Sequence, residues 1–301
     1  MNLRFCPALM PLLYLLACAV VFALIAYPLF LLFQGTVGFR TLMFRGTLVL
    51  IFLGFVLLSK RLAVGWDAMG LARGWKAILR QFCLGLGAGM LILAVQAAML
   101  VAMDVRVINA IHVQDWGSYP RWIGKSLLSG LGVGINEELL FRGFLLGYLL
   151  QRVNRAVAIL ACAFYFAGLH FVNTSMDPPV SELNGGSGLA MVMDAFGSTT
   201  GRFRLDTFLA LFSAGAFLAV IRVYVPFGLV YCMGLHAGWV WVIKMTRYLT
   251  ELSKTSEWSF LISRFDGVIG YLSAGWITLL TLALVWWFES REARQALRTA
   301  D

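Results

Sequence analysis

The chain has 301 residues, 60% of them hydrophobic and 13% charged, with a mean hydropathy of +0.83. Soluble domains are nearer half apolar and a quarter charged. A globule with one core is therefore excluded, and the composition indicates an all-α polytopic membrane helix bundle forming one membrane domain. The net charge of +9 falls mostly in short loops, which fits anionic lipid and the positive-inside rule rather than a nucleic-acid partner.

A spanning helix needs about 20 apolar residues. Eight segments qualify: 11–33, 42–59, 82–103, 123–151, 155–174, 207–225, 227–247 and 267–288. The first begins near "LLAC", which resembles a lipobox. Its apolar run continues past Cys18 to Phe33, so it reads as an uncleaved first helix. The second carries Arg45 near its start, and the fourth exceeds the length that a straight crossing requires. Between the second and third lies "KRLAVGWDAMGLARGWKAILRQ" (60–81). Its Lys60, Arg61, Arg73, Lys76 and Arg80 interleave with Trp66 and Trp75, the pattern of an interfacial helix or of a basic loop.

These elements divide the chain into N-terminal helices (1–122), a core (123–247), and a last helix with a short tail (248–301). The loops near 60–81, 152–155 and Arg222 are basic. The 104–122 loop is neutral, and the 175–206 loop is polar. This asymmetry expects both termini to be cytoplasmic. The Gly-rich stretch 181–203 is longer than a connection needs and reads either as a gate or as a flexible loop. The five cysteines are scattered with no CxxC spacing, so neither a disulfide framework nor a zinc–thiolate site is indicated.

Polar residues deep in these spans are expensive and need a reason. The fourth span holds Asn136, Glu137, Glu138 and Arg142. His170 lies in the fifth and His236 in the seventh. Glu137 is 15 residues before Arg152, His170 is 15 after Arg155, and His236 is 14 after Arg222. At helical rise all three lie roughly 21–23 Å from one boundary, so a carboxylate and two imidazoles share a layer. Glu138 and Arg142 are four apart and can pair. Glu137 lies about 100° around the helix from Glu138 and can face the histidines as a general base, with the histidines donating to an oxyanion. That set describes acyl-bond hydrolysis inside the membrane.

The same residues admit other readings. Glu138–Arg142 can be a structural ion pair, and a lone membrane histidine is often an interhelical donor. Glu137, His170 and His236 also form a zinc-like ligand set, although no HExxH is present. Transporters use such groups as proton relays, but the repeats and broken helices of transporters are absent from the sequence. A membrane acyltransferase finds no further motif.

"EELLFR" (Glu137, Glu138, Arg142) resembles the EExxxR motif of the CAAX protease and bacteriocin-processing family, the ABI or CPBP intramembrane proteases. "FAGLH" (Phe166 to His170) is similar to that family's FxxxH motif, and "HAGWV" from His236 falls where its third motif lies. The resemblance implies an eight-helix membrane endopeptidase with cytoplasmic termini. In it Glu137 activates water, Glu138 and Arg142 shape the site, and His170 and His236 bind water or stabilise the oxyanion. It implies either a metal-free glutamate mechanism, the reading preferred here, or a divalent metal such as zinc on Glu137, His170 and His236. Substrates would be prenylated, lipidated or C-terminally sorted membrane proteins or peptides, and the setting a bacterial inner membrane. One departure stands out: the fourth motif position is Val240, not Asn. Asn173, a turn after His170, is the candidate replacement donor, and Asn136 is less well placed. The departure keeps open a non-catalytic immunity or regulatory role.

Overall fold

The computed structural model describes residues 7–33, 35–62, 64–71 and 74–300, with the backbone alone for residues 60, 66 and 292–300. In chain order the elements are α1 (Met10–Leu32), α2 (Phe39–Leu62), α3 (Trp66–Met69), α4 (Trp75–Ala102), β1 (Arg106–Ile108), α5 (Ala110–Gln114) and α6 (Tyr119–Glu138). A π-helical stretch (Leu139–Leu145) follows. Then come α7 (Leu146–Leu149), α8 (Arg155–Leu169), α9 (Ser187–Gly197), α10 (Thr199–Arg202), α11 (Leu205–Tyr224), α12 (Leu229–Leu249), β2 (Thr250–Leu252) and α13 (Tyr271–Ala300). The protein is an all-α polytopic bundle. All eight expected segments are helical, and five described helices are long and apolar enough to cross a membrane: 10–32, 39–59, 75–102, 205–224 and 271–291. The other three are those that carry the polar residues. α6 gives way to the π stretch, α8 is 15 residues long, and α12 carries His236, Lys244 and Arg247.

The chain forms two compact units. One comprises residues 1–65, 151–153 and 168–203; the other comprises 66–150, 154–167 and 204–301. The expected boundaries at 122/123 and 247/248 coincide with neither. In the first unit α1 packs on α2, with the Tyr14 hydroxyl donating to the Ile51 carbonyl (2.5 Å). The stretch 181–203 is an ordered piece rather than a loose loop. α9 lies on α1 so closely that a Cβ at Gly188 would come within 2.3 Å of the Ala23 carbonyl oxygen. Met191 and Leu183 join Phe22, Ala23 and Ala26 in one apolar cluster. Asp194 pins the preceding extended chain. It accepts from the Thr174 hydroxyl (2.6 Å) and lies 3.6 Å from Arg202. The Thr174 hydrogen bond, aided by Arg202, holds the Asp194 carboxyl below the usual aspartate range.

In the second unit α12 runs between α4 and α6, and backbone meets backbone. A Cβ at Gly89 would fall 2.2 Å from the Leu235 carbonyl oxygen, and one at Gly134 would fall 2.7 Å from that of Met233. Small residues at these positions let helices approach to a distance that larger side chains forbid. This is why α4, expected among the N-terminal helices, belongs with the core. The basic 60–81 segment is not one interfacial helix. Gly70 and Gly74 adopt φ of +71° and +92°, and the chain breaks between α3 and α4; Arg73 lies outside the described residues. Arg222, expected as a loop charge, is only 8% exposed. Its guanidinium donates to the carbonyls of Met69 (2.9 Å) and Ala68 (2.6 Å), satisfying the end of α3.

At the opposite end, β1 pairs antiparallel with β2, Arg106 opposite Leu252. The buried Arg106 donates to the Gly267 carbonyl and the Thr250 hydroxyl, 2.6 Å each. The Gln96 amide reaches the Val268 carbonyl (3.1 Å) from α4. The 250–270 connection is thereby tied onto the bundle. Asp266 within it accepts from the Val268 and Ile269 amides, 2.9 Å each.

Candidate active site

The polar residues of α6 sit where that helix changes its winding. Glu138 is the last α-helical residue before the π stretch, which carries Arg142. Such π-helical turns are rare and occur most often at functional sites. Glu138 and Arg142 are both fully buried, and the Arg142 Nη1 donates to Glu138 Oε1 at 2.9 Å. The expected pair is therefore formed. Arg142 Nη2 reaches across to the Gly215 carbonyl on α11 (3.2 Å). The thiol of Cys162 on α8 donates to the Phe141 carbonyl (3.4 Å).

His236 enters from α12. Its Nδ1 lies 2.8 Å from Glu138 Oε1, the same oxygen that holds Arg142. Its Nε2 lies 4.0 Å from Glu137 Oε2. The ring thus stands between two adjacent carboxylates, closely bonded to Glu138 and not to Glu137. A carboxylate paired with arginine accepts only, so Nδ1 carries the proton donated to Glu138. This fixes the tautomer and turns Nε2 toward Glu137. Glu138 is fully buried, whereas the Glu137 side chain is 30% exposed. The two neighbours therefore differ: Glu138 is wholly enclosed, while the Glu137 side chain is partly exposed although its Oε2 is buried.

Phe166, from "FAGLH", closes this cluster. The Arg142 guanidinium lies over its ring, 4.4 Å from the centroid. The ring also meets Phe141 (5.2 Å) and His236 (5.9 Å) in edge-to-face fashion. His170 directly follows α8, one turn after Phe166, and falls in the first unit. Asn173 is also in the first unit. It is exposed, and its Oδ1 accepts from Arg40 Nη2 at 3.5 Å, so its side chain is engaged with α2. Asn136 is exposed on α6. Val240 brings no polar atom to the α12 face one turn beyond His236.

Among the described residues no group of three or more His, Cys, Asp or Glu side chains is placed to hold a metal. Within the second unit His236 Nδ1 is committed to Glu138. The Nε2 atom and Glu137 are thus the remaining donors of the expected ligand set there. Two features escaped the sequence. The π stretch has no composition signal, and Gly215 acts through a backbone carbonyl that no side chain announces.

Residues 120–242 match the family model described as type II CAAX prenyl endopeptidase Rce1-like. That stretch, about two fifths of the chain, is similar to the CAAX protease family. It spans Glu137, Glu138, Arg142, Phe166, His170, His236 and the departing Val240. No match was found among curated proteins or among solved structures. The apolar helices, with that likeness over 120–242, fit an integral membrane protein.

Proposed function

We propose that the protein is an intramembrane endopeptidase in which Glu137 activates water against a peptide carbonyl. The arrangement of Glu137, His236 and Glu138 carries this reading. A partly open carboxylate stands 4.0 Å from an imidazole whose other nitrogen is fixed by a buried carboxylate. Glu137 takes a proton from water as the hydroxide oxygen bonds to the carbonyl carbon, leaving a tetrahedral oxyanion. The C–N bond then breaks, and the proton held by Glu137 passes to the departing amine. The products are a carboxylic acid and an amine, which become carboxylate and ammonium when the acid's proton passes to the amine. His236 and His170 steady the water and the oxyanion. Glu138 and Arg142 hold His236 in place.

The reaction is proposed to be metal-free. If a divalent ion such as zinc is used, Glu137, His170 and His236 are its ligands, and the ion would supply Lewis-acid polarisation. Substrates are proposed to be prenylated, lipidated or C-terminally sorted membrane proteins or peptides. A bacterial inner membrane with both termini cytoplasmic is the proposed setting. Val240, which offers no hydrogen-bond donor, favours a second reading: a non-catalytic immunity or regulatory membrane protein.

The test is cleavage of farnesylated peptides by purified protein in detergent, wild type beside Glu137→Gln. Cleavage that survives chelation and is lost in Glu137→Gln supports the glutamate mechanism. Chelator-sensitive cleavage moves the site to a metal. Full cellular function in Glu137→Gln sinks the protease reading in favour of the non-catalytic one.

A further inference from the structure

We propose that Phe166 is an electrostatic positioning residue: its ring face holds Arg142 so that Glu138 stays locked on His236. The inference deepens the site reading given above and rests on it only for its activity readout. Arg142 is fully buried and makes two hydrogen bonds, to Glu138 and to Gly215. Among the described residues its Nε makes none, and neither does the second oxygen of Glu138. A buried guanidinium with unused donors is poorly compensated by hydrogen bonds alone. Aromatic rings supply the missing compensation, and Phe166 is the nearer of two: its ring centroid lies 4.4 Å from the guanidinium carbon, that of Phe141 5.8 Å. Attraction between a cation and a ring face is strongest where water is excluded, and Phe166 is itself 2% exposed.

The contact is directional. Nη1 and Nη2 are bound to Glu138 and Gly215 while the guanidinium carbon stands over the Phe166 ring, three contacts that together orient the group. Glu138 Oε1 then presents its remaining lone pair to His236 Nδ1 at 2.8 Å. The Phe166 edge also meets the His236 ring, so one aromatic touches both ends of the chain of contacts. An aliphatic side chain of similar volume would fill the space but would leave the cation without a partner on that face.

The experiment replaces Phe166 by mono-, di- and trifluorinated phenylalanine, introduced by stop-codon suppression. Fluorination withdraws charge from the ring face while barely changing its shape. Three readouts are taken in detergent: the ring-nitrogen signals of labelled His236, the thermal midpoint, and cleavage of a farnesylated peptide. His112→Gln and His170→Gln variants serve to assign the His236 signal. We expect the His236 Nδ1–H signal and the midpoint to shift progressively with each fluorine. We expect cleavage to fall on the order of tenfold across the series, and Phe166→Leu to lie beyond the trifluoro variant. A His236 signal and a midpoint unchanged by fluorination would overturn the inference, because a purely steric role is blind to ring charge. Absence of cleavage by wild type and every variant, with the His236 signal still moving, would count against a farnesylated substrate and leave the role of Phe166 standing.

Discussion

Glu137 and Glu138 are adjacent in sequence and opposite in circumstance, and that contrast can be measured. Glu138 is fully buried and shared by Arg142 and His236. Removing one member of a buried pair leaves an uncompensated charge and costs about 3–5 kcal/mol. We therefore expect Glu138→Gln and Arg142→Gln each to be strongly destabilising in detergent unfolding. The double variant should be less unstable than the sum of the singles, since the charges leave together. Glu137→Gln should cost less than either single variant, because the Glu137 side chain is 30% exposed where that of Glu138 is fully buried. Equal destabilisation by the two Glu→Gln variants would remove the division of labour. The Glu138–Arg142 pair was legible in the sequence because a spacing of four brings side chains together. The bond from Glu138 to His236 was not, because sequence spacing cannot say which of two adjacent carboxylates a second helix will meet. Asn173 illustrates the same limit: its spacing from His170 was readable, and its engagement with Arg40 on α2 was not.

At the scale of elements, the close backbone contacts of α12 fix where His236 stands. A Cβ at Gly134 would press on the Met233 carbonyl oxygen and come 3.0 Å from the Ala237 nitrogen, immediately beside His236. Overpacking of this kind costs about 1–3 kcal/mol. Gly134→Ala should lower the midpoint and also reduce cleavage, whereas Gly132→Ala on the same helix, where a Cβ meets nothing within 4 Å, should change neither. The connection after β2 yields a pH prediction. Burial raises the Asp266 carboxyl above the usual aspartate value, against the opposing pull of the Val268 and Ile269 amides, Arg247 and Arg106. A carboxyl whose folded pKa is raised favours the folded state at low pH and withdraws that support as pH climbs through the folded value. Asp266→Asn keeps the oxygen that accepts from the two amides and removes the charge. Its midpoint should match wild type below the unfolded pKa of about 4 and exceed it progressively at higher pH. A deficit at neutral pH would mean that Arg106 and Arg247 need the charge more than burial opposes it.

For the whole molecule, hydropathy located all eight helices but could not group them. α4 reads like any apolar span, and its place beside α12 depends on which of its glycines meet another backbone. The three site-bearing helices, which the apolar runs of the sequence suggest as spans, are the ones that fall outside the five long apolar helices of the structure: α6 gives way to the π stretch, α8 has 15 residues, and α12 carries His236, Lys244 and Arg247. Whether they cross decides the topology, and an even number of crossings puts both termini on one side. α13 is the informative helix: its apolar part ends at Arg291 and is followed by a stretch containing Arg294 and Arg298, while the 250–270 connection precedes it. On the positive-inside rule the Arg-bearing end is expected in the cytoplasm. A fluorescent protein fused after Asp301 in a bacterial host should therefore glow, and alkaline phosphatase inserted at Lys254 should be active. With a second fluorescent fusion ahead of Met1 also glowing, the count of crossings is even, and either one or all three of α6, α8 and α12 cross in addition to the five apolar helices. Phosphatase inactive at Lys254 would mean that α13 does not cross in this direction. A dark N-terminal fusion beside a bright C-terminal one would mean an odd number of crossings, with at least one site-bearing helix entering and leaving the membrane on the same face.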